Sequence, residues 1–458
     1  MVPSPFLLDV EHACGPDRIV RNGQPHLSSV PPDDDVRSQR DFRVRAVAQA
    51  LDDAPALLAR WCREAEPPPA AGGVLAGLRV TYHRSRGAGF GPFEGMLTSP
   101  AVVQELADKY GPSRCWTPSQ LELYASCPYK FFLEKVLRAQ PLPEPELAVD
   151  YLGRGQMLHW LLSAAHRRLN ELLGQPSSPS AYDTEQFVGV IEALADALRE
   201  QHEHRAALES GLAEIDIRQI RLWIDRYRQQ HAEYDEQWSR WELPPRPTYF
   251  EVAFGPTHRG DDDEVARVLD ENDPISTGDA FEMECGGEVV RFSGRIDRID
   301  TGRYAAQAVF SIVDYKSGKV GARTSLASVL QGRSLQLPLY TLAARWLLAA
   351  ERAEPFRAAY WHVSDKGYQE KEAVKFHDLA DAGIEPSEQW RELEAALGPR
   401  VRSLVEGIRA GEFPMHSWDD RCTSYCDYKT VCRVNQTRWL EKTWQPPETW
   451  QISSEERA

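Results

Sequence analysis

Three side chains in one short stretch have the types and spacing for chemistry on a phosphodiester. Asp297 stands in FSGRIDRID (292–300), and Asp314 and Lys316 stand in SIVDYKSGK (311–319). The stretch reads as two adjacent strands. The first is expected to end over Gly294 to Asp297, and the second is the apolar run Val309, Phe310, Ile312 and Val313, followed at once by Asp314, Tyr315 and Lys316. Side chains alternate along a strand, so Asp314 and Lys316 share a face. Charges set beside a core are normally paired or bind an ion. Two carboxylates can hold a hard cation such as Mg²⁺ or Mn²⁺ through oxygen. Such a cation acidifies a bound water and offsets charge on the phosphate, while a lysine steers the nucleophile or stabilises developing charge. The competing reading is a surface hairpin whose acids and lysine are merely solvated.

The rest of the chain must position these groups. Its 458 residues, 42% hydrophobic and 27% charged, suit a globular protein with roughly three domains' worth of core. A formal charge of −16 argues against broad coating of nucleic acid but leaves room for a local basic channel. Lys316, Lys319, Arg323 and Arg333 are candidates for one, or else belong to an ordinary solvated loop. No apolar run reaches membrane-spanning length, and the N-terminus lacks a basic n-region and an apolar h-region, so a cytoplasmic chain is expected. The glycine-rich RGAGFGPFEGML lacks the Gly-Lys-Ser/Thr ending of a nucleotide loop; no ATP is expected to bind this chain.

Residues 1–35 are rich in Pro, Asp and Gly and end in a linker-like PPDDD. Helical spacing marks 36–65, with Pro55 splitting it. Leu78–Tyr82 reads as a strand, and Ala101–Tyr110 as a helix. Thr117-Pro118-Ser119-Gln120 opens another helix. Gly153 and Gly155 precede a long amphipathic helix that carries His159, with His166 on the same face. Two long helices follow over 183–240. Pro244–Pro247 breaks that run, and YFEVAF (249–254) is a strand containing Glu251. Residues 256–282 read as an acidic insertion. Downstream, LQLPLYTLAARWLLAA begins a buried helix with Gln336 and Tyr340 on one face. RAAYWHVS (357–364) is expected to be a strand closing the sheet, and Glu388–Ala410 a helix. The tail after Arg433 has three tryptophans and little pattern and is expected either to lie on the surface or to bind a partner.

Of eight cysteines, Cys14, Cys62, Cys115 and Cys285 are scattered, whereas Cys422, Cys426 and Cys432 cluster. In a cytoplasmic chain a cluster suggests metal before disulfide. With Cys127 as a fourth thiolate, the set suits an iron–sulfur cluster or a tetrahedral zinc, plain thiols being the remaining reading.

Asp297 with Asp314-Tyr315-Lys316 resembles the core of the PD-(D/E)XK nucleases. SQLELYASCPYKFFLEKVL (119–137), GRGQMLHWLL (153–162) and LQLPLYTLAA (335–344), in that order, are similar to the AddB/RecB-type branch and nearest to the AddB nuclease domain. That resemblance implies an α/β, restriction-endonuclease-like core: a mixed central sheet flanked by helices, with additional helical segments. It would occupy 113–435, after an N-terminal extension over 1–112 and before a tail over 436–458. His159, in the family's G-x-x-x-H element, is implied as a further metal ligand or phosphate contact. Gln336 and Tyr340 are implied as DNA contacts, and Glu251 matches a family glutamate, although a salt-bridged structural acid fits it equally. A 4Fe–4S cluster on Cys127, Cys422, Cys426 and Cys432 is implied as well. Three residues separate Cys422 from Cys426 where the family usually has two, which leaves zinc open.

The expected activity is Mg²⁺- or Mn²⁺-dependent hydrolysis of DNA, as an exonuclease on single-stranded ends, in recombinational repair beside a helicase partner. The alternative is a weak or inactive nuclease-like DNA-binding scaffold. The family's full-length protein carries a large helicase-like region ahead of this domain. Here about 110 residues precede the nuclease-like part, and built-in translocation is not expected. Within them, GPFEGML and the helix Ala101–Tyr110 faintly resemble the segment leading into AddB-type nuclease domains, as a remnant of that region.

Overall fold

The structure, a computed structural model, describes residues 30, 36–52, 54–64, 69–86, 89–140, 151–202, 207–239, 241–256, 273–317, 326–381, 383–439 and 441–442. The expected linker over 31–35, most of the acidic insertion, Lys319, Arg323 and the chain from 443 onward lie outside these residues.

The chain divides into two units, Met1–Arg86 and Gly87–Ala458. In the first, α1 (Gln39–Leu51), α2 (Ala56–Glu64) and α3 (Pro69–Arg84) follow one another. The Ser38 hydroxyl caps α1 by accepting from the Asp41 amide, and Pro55 separates α1 from α2 as the periodicity predicts. Residues 78–82, expected as a strand, lie inside α3. Val80 and Thr81 are isolated β-branched residues in an Ala/Leu-rich run opened by Pro69, and the Thr81 hydroxyl donates back to the Gly77 carbonyl at 3.0 Å, a helical habit of threonine.

In the second unit α4 (Pro100–Lys109) leads to β1 (Cys115–Trp116), which pairs with β4 (Val289–Phe292) beside β3 (Phe281–Glu284) in a small sheet. The main mixed sheet runs in the order β2 (Leu243–Phe254), β5 (Gly294–Tyr304), β6 (Gln307–Lys316), β7 (Glu354–His362), β8 (Gly367–Tyr368). The β2–β5 and β5–β6 pairs are antiparallel. β6 and β7 are parallel, joined through α9 (Leu326–Leu330) and α10 (Gln336–Leu347). β7 is therefore not the closing strand: β8 and β9 (Val374–Lys375) pair with its outer side. The helical run ends at Gln237, ahead of the prolines expected to break it, but β2 already starts at Leu243 and takes those prolines in rather than beginning at Tyr249. It is an edge strand, where a missing N–H is tolerated, and its register shifts at Leu243/Arg246 and Pro247/Tyr249 absorb the misfit.

Alternation along β6 feeds two cores. Phe310 and Ile312 pack with Leu121 and Tyr124 of α5 (Pro118–Ser126), with α10, and with Leu397, Val401 and Leu404 of α11 (Glu388–Arg409). Val309, Val313 and Tyr315 pack on the other side against α6 (Tyr151–Leu173), α7 (Thr184–His202) and α8 (Ala207–Gln237). Each such side chain contributes about 1.5–3 kcal/mol by leaving water, so the sheet is held from both faces. Gly153 and Gly155 lie within α6 rather than ahead of it.

Two segments far apart in sequence are zipped together. The amides of Leu97, Phe413 and Met415 donate to the carbonyls of Gly411, Gly95 and Glu94, each at 2.9 Å. Gly95 has φ +97°, and a Cβ there would sit 1.9 Å from the Phe413 carbonyl oxygen, so the approach requires glycine. The buried Glu94 carboxylate pairs with the Lys442 ammonium at 2.6 Å. Lys442 is thus anchored, and Val434 and Thr437 ahead of it are buried. α12 (Val434–Trp439) stands just before this anchor.

Candidate metal centre and active site

Asp297 sits near the start of β5, not at the end of the strand before it: a shorter strand, β4 (Val289–Phe292), precedes, and Ser293 separates the two. The β2–β5 register sets Phe250 opposite Arg298 and Val252 opposite Ile296, so Glu251 lies across from Asp297. Glu251 has φ +52°, a left-handed conformation that costs a non-glycine residue about 1–2 kcal/mol. That twist belongs to the residue whose carboxylate meets the helix above. His159, in α6, brings Nδ1 to 3.3 Å from Asp297 Oδ1 and 3.8 Å from Glu251 Oε1. Candidate ligand atoms of His159, Glu251 and Asp297 all lie within 4.8 Å of one another.

The backbone of Tyr315 locks two of these groups. Its amide donates to Asp297 Oδ2 at 2.8 Å, and its carbonyl faces His159 Nε2 at 3.2 Å. A carbonyl only accepts, so Nε2 carries the hydrogen and Nδ1 is the nitrogen turned to the carboxylates. On the flanking positions, Asp314 and Lys316 point to one face: Lys316 Nζ is 2.5 Å from Asp314 Oδ2 and 5.1 Å from the centre of the Tyr360 ring. The expected shared face of Asp314 and Lys316 is what the structure shows. Asp314 Oδ1 accepts from Gln336 Nε2 at 2.6 Å.

Charge is crowded here. Burial alone would lower the His159 pKa, but Asp297, Glu251 and Asp314 outweigh it and raise it to about 9. Burial and the neighbouring Asp297 push Glu251 up to about 7. Asp297 is held below its ordinary value: burial opposes this, and His159 and Lys316 prevail. Burial raises Asp314 to about 6, with Lys316 pulling back and Asp297 pushing further. Lys316 stays charged well into the alkaline range because Asp314 and Asp297 overcome its burial. Three acids sharing one site, one with a buried oxygen (Glu251 Oε1) that has no hydrogen-bond partner, form a donor set suited to a hard cation.

α10 brings Gln336 and Tyr340 to the same region. Gln336 reaches Asp314, while the Tyr340 ring is buried edge-on to Phe254, 5.9 Å between centroids. A Cβ on Gly294 would come 2.6 Å from the Tyr340 ring, so glycine there lets the ring seat. The pattern reading missed Glu122, on α5, whose Oε1 accepts from the amides of Leu335 and Gln336 at 2.6 and 2.7 Å. Burial pushes it up to about 7, with those two amides holding it back. Its position inside a helix, more than 200 residues from its partners, carries no local signal.

A family model for the PD-(D/E)XK nuclease superfamily matches residues 115–433. The chain belongs to that superfamily. Its mixed sheet flanked by helices is the restriction-endonuclease-like core of PD-(D/E)XK nucleases. The chain is also similar to an ATP-dependent helicase/deoxyribonuclease subunit of Desulforamulus reducens, at 27% identity over 79% of this chain and 32% of that protein. The protein of the same name from Carboxydothermus hydrogenoformans is 24% identical over 83% of this chain and 40% of its own length. That from Moorella thermoacetica is 29% identical over 54% of this chain and 19% of its length. The chain thus spans between about a fifth and two fifths of these curated relatives. Among the described residues, no helix is long and apolar enough to cross a membrane.

Within the PD-(D/E)XK domain the four cysteines named from sequence line one cavity of about 800 Å³. Cys127 ends α5, Cys422 opens a 3₁₀ turn, the Cys426 amide donates to the Cys422 carbonyl at 2.9 Å, and Cys432 ends the helical turn Lys429–Cys432. All four are free and half-buried. Burial pushes the Cys127 and Cys432 thiols up to about 11 and about 12, with the neighbouring cysteines adding to the rise. Lys130, Arg333, Arg421 and Lys429 share the lining, and Arg333 lies 5.1 Å over the Trp418 ring.

Proposed function

We propose that this chain is a divalent-metal-dependent deoxyribonuclease that degrades single-stranded DNA ends and works beside a helicase partner in recombinational repair. The convergence of His159, Glu251 and Asp297, with the Asp314–Lys316 pair alongside, carries the reading. His159 Nδ1 and the carboxylates of Glu251, Asp297 and Asp314 would hold Mg²⁺ or Mn²⁺. Bound there, the cation supplies an acidified water and neutralises charge on the phosphate. Tyr315 fixes both the His159 tautomer and the Asp297 oxygen through its backbone, the kind of outer contact that tunes a metal site. Lys316 brings a permanent positive charge to the phosphate oxygens and the attacking water. Gln336 and Tyr340 place the strand. The names of the relatives, each part of a helicase/deoxyribonuclease, support DNA as substrate and a helicase as partner. The deciding assay uses single and double strands labelled at either end, with and without Mn²⁺. Metal-dependent loss of terminal nucleotides from single strands by the wild type, absent in Asp314→Ala, is the expected result. Failure of both proteins to cut under all conditions would instead favour a nuclease-like scaffold.

Metal binding should depend on pH. A cation needs a neutral imidazole and ionised carboxylates, yet at pH 7 His159 keeps its proton and Glu251 is half protonated. Mn²⁺ affinity is therefore expected to rise by about tenfold or more from pH 6 to pH 9, with proton release on binding. Calorimetry in buffers of differing ionisation enthalpy measures both; a pH-independent affinity would contradict the assignment.

We assign the four-cysteine cavity to a 4Fe–4S cluster. Its volume, four thiols and basic lining suit an anionic cluster better than a lone ion. Cys127 and the late cysteines would then clip the start of the domain to its end, making binding energy into folding energy. Cys127→Ala is expected to lower the melting temperature and remove visible absorbance together. A colourless, zinc-containing wild type would contradict the assignment.

A further inference from the structure

Helix α10 begins without a cap of its own. Its N-cap residue is Leu335, which has no side-chain acceptor, and the first amides of a helix need one. The acceptor comes from elsewhere in the fold: Glu122 Oε1 takes both the Leu335 and the Gln336 amide, at 2.6 and 2.7 Å. A carboxylate at that end also meets the positive pole of the helix. Glu122 is itself well placed. It lies one turn into α5, which opens with a capping box between Thr117 and Gln120 and ends at Cys127 on the cysteine-lined cavity. The residue whose backbone Glu122 holds is the one whose side chain reaches the catalytic carboxylate, because Gln336 Nε2 donates to Asp314 Oδ1 at 2.6 Å. Two contacts thus run in series, from Glu122 of α5 to the first residue of α10 and from that residue to Asp314.

We infer that Glu122 is a positioning residue, which caps α10 from outside and, through Gln336, sets the Asp314 oxygens at the metal. This rests on the reading of the site as a divalent-metal centre. Nothing in the chain of contacts requires Glu122 to touch the ion or the DNA. Its removal should therefore act only while Gln336 is there to transmit it.

Direct Mn²⁺ binding to the full chain without DNA, followed by electron paramagnetic resonance, tests this independently of cleavage. Glu122→Ala and Gln336→Ala are each expected to weaken Mn²⁺ binding about tenfold, the lower end for loss of a residue supporting a metal ligand. The double variant should bind no more weakly than Gln336→Ala alone, since the two act in one series. Glu122→Gln keeps an oxygen for the two amides and should stay within about threefold of wild type. Should Glu122→Ala fail to fold, Glu122→Asp, one methylene shorter, replaces it in the cycle. Multiplying losses in the double variant, or unchanged binding in a folded Glu122→Ala or Glu122→Asp protein when the wild type binds Mn²⁺, would overturn the positioning role. A wild type that binds no Mn²⁺ would overturn the metal-centre reading itself, and the inference with it.

Discussion

Asp314→Asn is expected to reduce metal-dependent DNA cleavage by at least about 10³-fold, ~4 kcal/mol of transition-state stabilisation at 1.36 kcal/mol per decade. The substitution keeps an oxygen for Gln336 Nε2 and removes the charge that would bind the cation and pair with Lys316. Stability should move little. Burial raises the Asp314 pKa to about 6, so the folded protein takes up its proton more readily than the unfolded chain does. Stability tied to that proton is present at low pH and is lost as pH rises from about 4 to 6. At pH 7 the ionised Asp314 is therefore a burden that asparagine relieves, offset by the loss of its pairing with Lys316. The variant is expected to melt within about 3 °C of wild type, the shift that about 1 kcal/mol gives in a domain of this size. Cleavage assays and calorimetry on one preparation separate the two effects. Wild-type cleavage by a folded Asp314→Asn protein would remove Asp314 from the mechanism.

Arg298→Met is expected to have the largest effect on folding. Arg298 and Asp300 are wholly buried, and the guanidinium donates to both Asp300 oxygens at 2.5 Å. The remaining donor, Nη1, reaches the Tyr227 hydroxyl and His231 Nε2 at 2.8 Å, binding β5 to α8. Burial and Arg298 lower the His231 pKa to about 4, so that ring stays neutral and can accept. Methionine would leave the Asp300 carboxylate deep in the protein with the Tyr234 hydroxyl, at 3.0 Å, and no cation. Removing one partner of a buried pair costs about 3–5 kcal/mol, a large part of the ~5–15 kcal/mol that keeps a domain folded. Arg298→Met combined with Asp300→Leu should recover most of the loss, because an apolar pair of similar volume leaves no buried charge. Urea denaturation of the three proteins measures this. The network also reaches the site: the Tyr227 hydroxyl lies 2.9 Å from that of Tyr315, whose backbone holds Asp297 and His159. A single variant as stable as wild type would mean that water already reaches Asp300.

The readable parts of this chain are those in which chemistry and local pattern coincide. Asp314 and Lys316 follow a near-continuous apolar run that reads as a buried strand, and side chains alternate along a strand, so their common face could be read directly. Helical spacing marked α1, α2, α7, α8 and α10. Long-range geometry was not legible. Arg298 and Asp300 look like the solvated face of a strand, and only the helices from 184 to 237 make them interior. The left-handed Glu251 depends on its pairing with β5 and its approach to His159. Glu122 answers an absence elsewhere, the missing cap at Leu335, which no window around residue 122 contains. Pro244 to Pro247 correctly marked the end of the helices, but their place inside an edge strand could not be known beforehand.

On the proposed reading, His159, Glu251 and Asp297 enclose a divalent cation beside Asp314 and Lys316. Anomalous diffraction at the manganese edge, from crystals grown with Mn²⁺, tests it most directly. A peak within coordinating distance of His159 Nδ1 and the Glu251 and Asp297 carboxylates is the predicted result. A fully occupied manganese elsewhere in the chain, with no peak beside these three groups, would contradict it.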